Sequence, residues 1–190
     1  MNVLKLSKGS LNAAVYAIKK GEVIICPTDT IYGLLSSTKN KKAVNKIFKI
    51  KSRKKEKPLP VFVGSMKMAK ELAFITKKQE KFLKKNWPGK TTAILKAKKD
   101  FPLLSKNGTI ALRYPNYKFI VNIIRRIKGP LAQTSANISG KPALNKVSDI
   151  VKTFEKKKIR PSIIIDGGDF KKGRPSSIVD LTKDSIKTLR

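Results

Sequence analysis

The strongest constraint on the fold is a short apolar run that ends in a group of small polar residues. Residues 23–26 (Val-Ile-Ile-Cys) are rich in β-branched side chains and too few for a helix, so they predict a buried strand. Pro27 has no N–H to donate and ends that strand. Thr28, Asp29 and Thr30 follow directly, where α/β sheets commonly contact ligands. An ordinary strand and turn would give the same pattern, so the other polar clusters of the chain must decide.

Size and composition indicate one globular domain spanning residues 1–190. A chain of 190 residues with 40% hydrophobic content can build a single core. No apolar stretch approaches the length of a membrane span, and the amino terminus has no signal-peptide core. The single cysteine, Cys26, excludes an intrachain disulfide framework. We therefore expect a cytoplasmic protein without membrane contact.

The chain contains no histidine, which restricts the chemistry that it can perform. Serine–histidine and cysteine–histidine nucleophile pairs are excluded, as are imidazole metal sites. Cys26 has no histidine to activate it, so we interpret it as a small buried apolar residue.

The net charge of +32 is typical of proteins that bind polyanions, and it leaves a nucleic-acid-binding function open. Seven of the 44 basic residues are arginine, which leaves 37 lysines. The lysines are spread over every predicted helix, so most of the charge is interpreted as a lysine-rich solvated surface. The seven arginines are few enough that the position of each one is informative.

Helical and strand patterns alternate without a strict βαβ rhythm. This indicates a single α/β domain with a twisted sheet of mixed parallel and antiparallel strands, flanked by helices. The strand at 58–63 is expected near a sheet edge because it contains two prolines. Helices are predicted from Ser10 to before Gly21 and over 41–50, 66–74, 78–85, 116–128 and 148–156, with Ser148 as the cap of the last one. Strands are predicted over 23–26, 58–63, 91–95, 109–112, 162–165, 176–181 and 186–189.

Two arginine-containing segments have the character of a site. Lys51 and Arg53 are two residues apart, so an extended segment would place both side chains on one face, where they suit a polyphosphate. The alternative is a solvated basic loop. Arg113 follows a predicted strand and is braced by Pro115; an ordinary surface ion pair is the alternative.

Three further segments could contact a ligand. Residues 134–140 form a polar loop with little side-chain bulk, which can bind a ligand through hydroxyl, amide and backbone N–H groups. Asp166 and Asp169 flank two glycines; a tight turn is favoured there over a metal site. The indole of Trp87 is expected to pack on the fold, with base stacking as the alternative.

Taken together and in order, the polar clusters of residues 21–190 resemble the signature motifs of the YrdC/Sua5 family, in its short single-domain form. Each motif alone is weak, but six in register are specific. The motifs are 27–34 (Pro-Thr-Asp-Thr-Ile-Tyr-Gly-Leu), 51–53 (Lys-Ser-Arg), 87–89 (Trp-Pro-Gly), 111–115 (Ala-Leu-Arg-Tyr-Pro), 134–140 (Thr-Ser-Ala-Asn-Ile-Ser-Gly) and 176–180 (Ser-Ser-Ile-Val-Asp).

The resemblance implies a nucleotidyltransferase that condenses L-threonine, bicarbonate and ATP into threonylcarbamoyl-AMP and pyrophosphate, with Mg²⁺ accompanying ATP. The product would supply the threonylcarbamoyl modification of adenosine 37 in tRNAs that read ANN codons, with other proteins making the transfer. Direct contact with tRNA through the basic surface is a further possibility.

The resemblance also assigns individual residues. Lys51 and Arg53 would neutralise the charge that develops on pyrophosphate, and no protein-bound metal site is implied. Thr30, Arg113, Ser135 and Ser176 would bind threonine, with Arg113 on its carboxylate. Three of the seven arginines thus fall at site positions. The ATP set is Arg53, Lys57, Thr109, Asn137, Asn145 and Arg190.

The chain departs from the family pattern at three positions. Phe62 stands where some members carry a histidine, Asp29 stands where glutamate is common, and the terminal carboxylate of Arg190 could compete for its own guanidinium. Two alternative functions are an RNA-binding module with a basic concave surface, and a carbamoyl-handling domain like those in hydrogenase-maturation proteins. The first does not account for the small polar residues of the site motifs.

Overall fold

A single mixed sheet organises the protein. The computed structural model describes residues 1–170, 173–183 and 185–190. Within these residues eleven strands join one sheet, in the order β1-β9-β2-β3-β8-β4-β7-β5-β10-β11, with β6 beside β7. The strands are β1 (Asn2–Lys5), β2 (Ile24–Cys26), β3 (Gly33–Ser37), β4 (Val61–Phe62), β5 (Thr91–Lys96), β6 (Ser105–Lys106), β7 (Thr109–Arg113), β8 (Leu131–Ser135), β9 (Ile163–Asp166), β10 (Ser177–Asp180) and β11 (Lys187–Thr188).

The sheet contains both parallel and antiparallel pairs. β9 is parallel to both β1 and β2, and β4–β7 and β5–β10 are also parallel pairs. The remaining pairs, among them β2–β3, β3–β8 and β5–β7, are antiparallel. The predicted mixed α/β sheet is therefore confirmed.

Helices cover both faces of the sheet. They are α1 (Lys8–Lys19), α2 (Lys41–Lys51), α3 (Met66–Leu72), α4 (Lys77–Asn86), α5 (Lys118–Ile127) and α6 (Val147–Phe154). On one face, apolar residues of α1 and α5 pack on Ile24, Cys26 and Phe62. On the other, apolar residues of α2, α3, α4 and α6 pack on Ile25 and Leu34. Since Ile24 and Ile25 face opposite cores, β2 is buried on both faces, as its apolar run predicts.

Two helix starts differ from the prediction because the capping groups lie elsewhere. Ser7, not Ser10, caps α1, and the two serines form a reciprocal capping box. The first turn of α6 is capped from a distant segment: Asp169 Oδ1 accepts a hydrogen bond from the Val147 N–H at 3.0 Å. Ser148 lies inside that helix and does not cap it.

The predicted edge position of the strand at 58–63 is wrong. β4 lies inside the sheet, between β7 and β8. Pro58 and Pro60 precede its two residues, so neither proline occupies a ladder position that requires an N–H. The carbonyl of Pro60 still accepts a hydrogen bond, from the Gln133 N–H at 2.9 Å. Strands β1, β3, β6 and β8 were not predicted.

Across the described residues, no helix combines the length and the apolar character that crossing a bilayer requires.

Candidate active site

A cavity of about 340 Å³ opens at one end of the central strands. Its walls come from the segment after β2, the ends of β7 and β8, and the segment leading into β10. Seven residues that the sequence singles out line it together: Thr30, Arg53, Arg113, Ser135, Asn137, Ser176 and Arg190. Residues up to 160 positions apart in the chain therefore share one cavity.

The segment after β2 forms a turn that fixes Thr30. Thr28 Oγ1 accepts hydrogen bonds from the N–H groups of Thr30 and Ile31, at 3.1 and 3.2 Å. The two threonine hydroxyl oxygens lie 2.9 Å apart. The sequence left open whether this segment is an ordinary turn or a ligand site. The structure shows the turn at Thr28 and places Thr30 on the cavity wall.

Arg113 is a buried cation at the end of β7, with only 2% of its surface exposed. Its Nε–H donates to the Gly89 carbonyl at 3.0 Å and Nη1 donates to Thr30 Oγ1 at 3.1 Å. Nη2 donates to Asp29 Oδ1 at 2.5 Å, in an ion pair whose side chains are both nearly inaccessible to solvent. A guanidinium has five N–H groups, so these bonds leave one on Nη1 and one on Nη2 for a ligand.

Asp29 connects Arg113 to the loop that follows β7. Its Oδ2 accepts a hydrogen bond from the Asn116 N–H at 3.0 Å. Burial lowers the pKa of Arg113, while the Asp29 carboxylate acts in the opposite direction. Since an arginine remains charged even when buried, the site retains a cation and a compensating carboxylate.

Lys51 and Arg53 do not lie in an extended segment, so the geometric premise of that prediction is wrong. Lys51 is the last residue of α2, and Ser52 adopts a left-handed conformation with φ of 52°. The left-handed residue ends the helix and turns the chain, so the two side chains do not share one face of an extended segment. Arg53 lines the cavity, whereas Lys51 is buried beneath the loop at 135–137.

The ammonium of Lys51 holds that loop. Nζ donates to the carbonyls of Ser135 and Asn137, at 2.8 and 3.0 Å, and to Asn137 Oδ1 at 2.6 Å. Ser135 Oγ donates in turn to Asn137 Oδ1 at 2.7 Å. Burial, with a further contribution from the charge of Arg53, lowers the pKa of Lys51 to about 7. Lys51 thus orders two predicted ligand-binding side chains.

Arg53 is anchored by the backbone of its own loop. Its Nε–H donates to the Lys57 carbonyl at 2.9 Å and Nη2 donates to the Pro58 carbonyl at 3.2 Å. The Lys57 side chain is exposed and is not among the cavity-lining groups. In this structure Lys57 therefore contributes its carbonyl to the orientation of Arg53.

Ser176 and Arg190 form the wall contributed by the last two strands. Ser176 Oγ lies 2.9 Å from Thr92 Oγ1. The Arg190 guanidinium donates from Nε and Nη2 to the Ser176 carbonyl, at 3.2 and 3.0 Å. The main-chain oxygen of Arg190 accepts a hydrogen bond from the Ile178 N–H at 2.9 Å, so this oxygen and the guanidinium have separate partners.

Thr109 and Asn145 do not line the cavity. Thr109 begins β7, four residues before Arg113, which places it about 13 Å along the strand. Its hydroxyl donates to the Lys106 carbonyl at 2.8 Å. Asn145 Oδ1 is buried and has no hydrogen-bond partner among the described residues. A Cβ on Gly173 would approach this oxygen to 3.2 Å and the Thr30 carbonyl oxygen to 2.8 Å, so Asn145 lies near the segment that fixes Thr30.

The family model of the Sua5/YciO/YrdC domain, described as "Telomere recombination", matches residues 16–190. The chain belongs to the YrdC/Sua5 family. A putative threonylcarbamoyl-AMP synthase from Methanocaldococcus jannaschii is 36% identical over 174 residues, which cover 91% of this chain and 81% of that protein. The threonylcarbamoyl-AMP synthase of Pyrococcus abyssi is 31% identical over 182 residues, covering 94% of this chain and 53% of that protein.

Solved structures of the family have the same fold. Pyrococcus abyssi Sua5 complexed with L-threonine has a TM-score of 0.89 and 29% identity, and the match covers all of this chain and 56% of that one. Escherichia coli YciO has a TM-score of 0.88 and 26% identity, with 93% of its chain covered. This family member thus spans about half the length of the Pyrococcus abyssi proteins that it matches.

Three polar residues of this family member line the cavity but lie outside every cluster that the sequence singled out: Thr92, Gln133 and Lys141. Thr92 lies within a predicted strand, where a polar side chain gives no signal of which cavity it faces. Gln133 lies in β8, a strand that was not predicted. Lys141 is one of 37 lysines, and nothing local distinguishes it. The glycine that precedes it, Gly140, was the only local sign of a tight loop, and its φ in the structure is +82°.

The carboxylates of Asp166 and Asp169 have separate backbone partners. The Gly168 N–H donates to Asp166 Oδ1 at 2.9 Å, and Asp169 caps α6. Trp87 is buried, and its indole N–H donates to the Thr91 carbonyl at 2.7 Å, so its predicted packing on the fold is confirmed. Cys26 is fully buried, and burial raises its pKa well above the ordinary value.

Proposed function

We propose that this protein is a threonylcarbamoyl-AMP synthase, which converts L-threonine, bicarbonate and ATP into threonylcarbamoyl-AMP and pyrophosphate. The observation that carries the proposal is the cavity, which combines a buried, oriented guanidinium with small polar groups and further cations. Arg113 supplies the buried guanidinium, and Arg53, Lys141 and Arg190 supply the further cations. The names of the curated relatives support the same activity.

Arg113 is suited to the carboxylate of threonine. Its two remaining N–H groups, on Nη1 and Nη2, can donate to both carboxylate oxygens in one geometry. Thr30 and Ser176 provide hydroxyl groups in the same cavity, and Ser135 provides a third. We assign the threonine side chain and amine to this polar wall. The Pyrococcus abyssi relative solved with L-threonine supports a threonine site in this fold.

The first chemical step needs no acid–base side chain of high reactivity. The ammonium group of threonine first loses a proton to solvent. The amine nitrogen then forms a bond to the carbon of bicarbonate and water leaves, which gives a carbamate. The carbamate is anionic, so the positive charges of Arg53, Lys141 and Arg190 stabilise it. A recessed cavity also protects it from hydrolysis.

The second step transfers the adenylyl group. A carbamate oxygen forms a bond to the α-phosphorus of ATP, and the bond from that phosphorus to the bridging oxygen breaks. Its electron pair leaves with pyrophosphate, whose developing charge the Arg53 guanidinium neutralises. Mg²⁺ accompanying ATP would supply further charge neutralisation; the cavity offers hydroxyl and amide oxygens, which fit an ion held chiefly by phosphate and water.

The mixed anhydride product is reactive toward water and therefore needs a dedicated acceptor. We propose that it supplies the threonylcarbamoyl group for adenosine 37 of tRNAs that read ANN codons, with separate proteins making the transfer.

We expect pyrophosphate release to require threonine and bicarbonate together, because ATP is attacked only by the carbamate formed from both. The measurement is pyrophosphate release from labelled ATP by the purified protein, with each component omitted in turn. Omission of either should reduce the rate to background. Equal turnover without threonine or without bicarbonate would contradict the synthase activity and indicate a plain ATPase.

We also expect ATP binding at pH 8 to take up protons. With a pKa of about 7, Lys51 is about one-tenth protonated at pH 8 in the free protein. Bound phosphates favour the ammonium and raise that pKa, so up to about 0.9 proton is taken up. Calorimetry of ATP binding in two buffers of different ionisation enthalpy measures this number. The exposed Lys54→Gln variant should behave like the wild type, and zero uptake by the wild type would contradict the expectation.

The RNA-binding alternative is not favoured, because phosphate contacts alone do not require the small polar residues that line the cavity. Full-length HypF in its phosphate- and nucleotide-bound form has a TM-score of 0.82 but 17% identity, a likeness of fold alone. It therefore provides no support for the hydrogenase-maturation alternative.

A further inference from the structure

Phe62 occupies an inner position of the sheet, directly beside the residue that we assign to the substrate carboxylate. β4 and β7 are parallel, and their register pairs Phe62 with Arg113. The side chain of Phe62 is fully buried and belongs to the core formed with α1 and α5. It is absent from the groups that line the cavity. Its surroundings are therefore the apolar core and Arg113.

The Arg113 guanidinium lies over the ring of Phe62. The guanidinium carbon is 5.6 Å from the ring centroid, within the range of a cation–π contact. The N–H groups of the same guanidinium donate to the Gly89 carbonyl, the Thr30 hydroxyl and the Asp29 carboxylate. Three hydrogen bonds and the contact with the ring together restrict the orientation of the group.

We propose that Phe62 is a positioning residue for substrate binding, which holds the Arg113 guanidinium in the plane that presents its two remaining N–H groups to the substrate carboxylate. The inference rests on the proposed function for the identity of that carboxylate. Phe62 acts through Arg113 and makes no contact with the substrate. A guanidinium already held in its binding orientation loses less conformational freedom when the ligand arrives.

The choice of phenylalanine has a consequence for pH dependence. A phenyl ring does not titrate, whereas an imidazole at this position would become cationic at low pH and repel the guanidinium packed on it. The orientation of Arg113 is therefore insensitive to protonation on this face.

The Phe62→His variant gives the most direct test, because the wild-type chain contains no histidine and the variant has a single imidazole signal in NMR spectra. In the ligand-free protein we expect the imidazole pKa to lie at least about one unit below the ordinary value of about 6.5, since burial and the Arg113 charge both oppose protonation. Saturating threonine should raise that pKa, because the bound carboxylate offsets the Arg113 charge but not the burial. An ordinary imidazole pKa without ligand, or no rise on adding threonine, would overturn the proposal.

The Phe62→Leu variant tests the role of the aromatic face in affinity. It retains apolar bulk but removes the π face, and we expect the threonine Kd to rise about fivefold at every pH while the ATP Kd is unchanged. Phe154→Leu, in the opposite core and also fully buried, is the matched control for lost packing. Wild-type threonine affinity in Phe62→Leu, or an equal loss in Phe154→Leu, would show that Phe62 only fills space.

The two proposals fail in different ways. If the protein does not bind threonine at all, the proposed function fails, yet the imidazole pKa of ligand-free Phe62→His still reports whether the ring packs on Arg113. If threonine binds normally and that pKa is ordinary, only the positioning role fails. Thermal unfolding followed by circular dichroism confirms that each variant is folded before it is assayed.

Discussion

Arg113→Lys is expected to weaken threonine binding by at least about tenfold, or about 1.4 kcal/mol, although the net charge is unchanged. The guanidinium makes three hydrogen bonds to the protein and retains two N–H groups for the ligand. An ammonium has three N–H groups and no fixed plane, so it cannot satisfy Asp29 and Thr30 and also grip both carboxylate oxygens. Calorimetric titration of threonine measures the loss directly.

ATP provides the internal control for this variant, because its proposed contacts lie on Arg53, Asn137 and Arg190. Its affinity should change much less than that of threonine. Arg160→Lys is a matched control for the substitution itself, since Arg160 is exposed and donates to the Glu155 carbonyl away from the cavity. If Arg113→Lys binds threonine normally, or loses ATP instead, our division of the cavity into two halves is wrong.

Arg53→Ala is expected to lower kcat/KM for pyrophosphate release about 30- to 1,000-fold, which corresponds to a loss of about 2–4 kcal/mol of transition-state stabilisation. Arg53 is the cavity-lining cation of the basic run at 51–57, and its Nε and Nη2 groups are fixed on backbone carbonyls. A fixed charge stabilises a developing charge without reorganising during the reaction. Steady-state kinetics with varied ATP give the loss.

Lys54→Ala and Lys55→Ala are the controls in the same run. Both side chains are exposed, and an exposed, screened charge contributes little. Their kcat/KM values should stay close to wild type. Equal, small effects at all three positions would mean that the run acts only as diffuse surface charge, and the catalytic role of Arg53 would have to be abandoned.

Local patterns were sufficient for most of the elements and for the family. The apolar run of β2, the buried stripe of α5 and the polar segments that follow the strands depend on residues close in sequence, and short-range periodicity records them. The scarcity of arginine was also informative, because the arginines at 53, 113 and 190 all reach the cavity. A guanidinium fork cannot be replaced freely by an ammonium, so arginine at these positions of a lysine-rich chain indicates a specific role.

The tertiary structure alone decided how the site residues are used. Lys51 is buried and donates hydrogen bonds to the loop at 135–137, which lies 84 to 86 residues away in the chain. The sequence had predicted that it would share one face of an extended segment with Arg53. Asp29 anchors Arg113 across 84 residues, and Phe62 meets the same guanidinium through the pairing of β4 with β7. Such contacts form only when distant strands pair in one register. The sequence thus determined which chemical groups are available, and the register of the sheet determined which of them face the ligand and which hold the others in place.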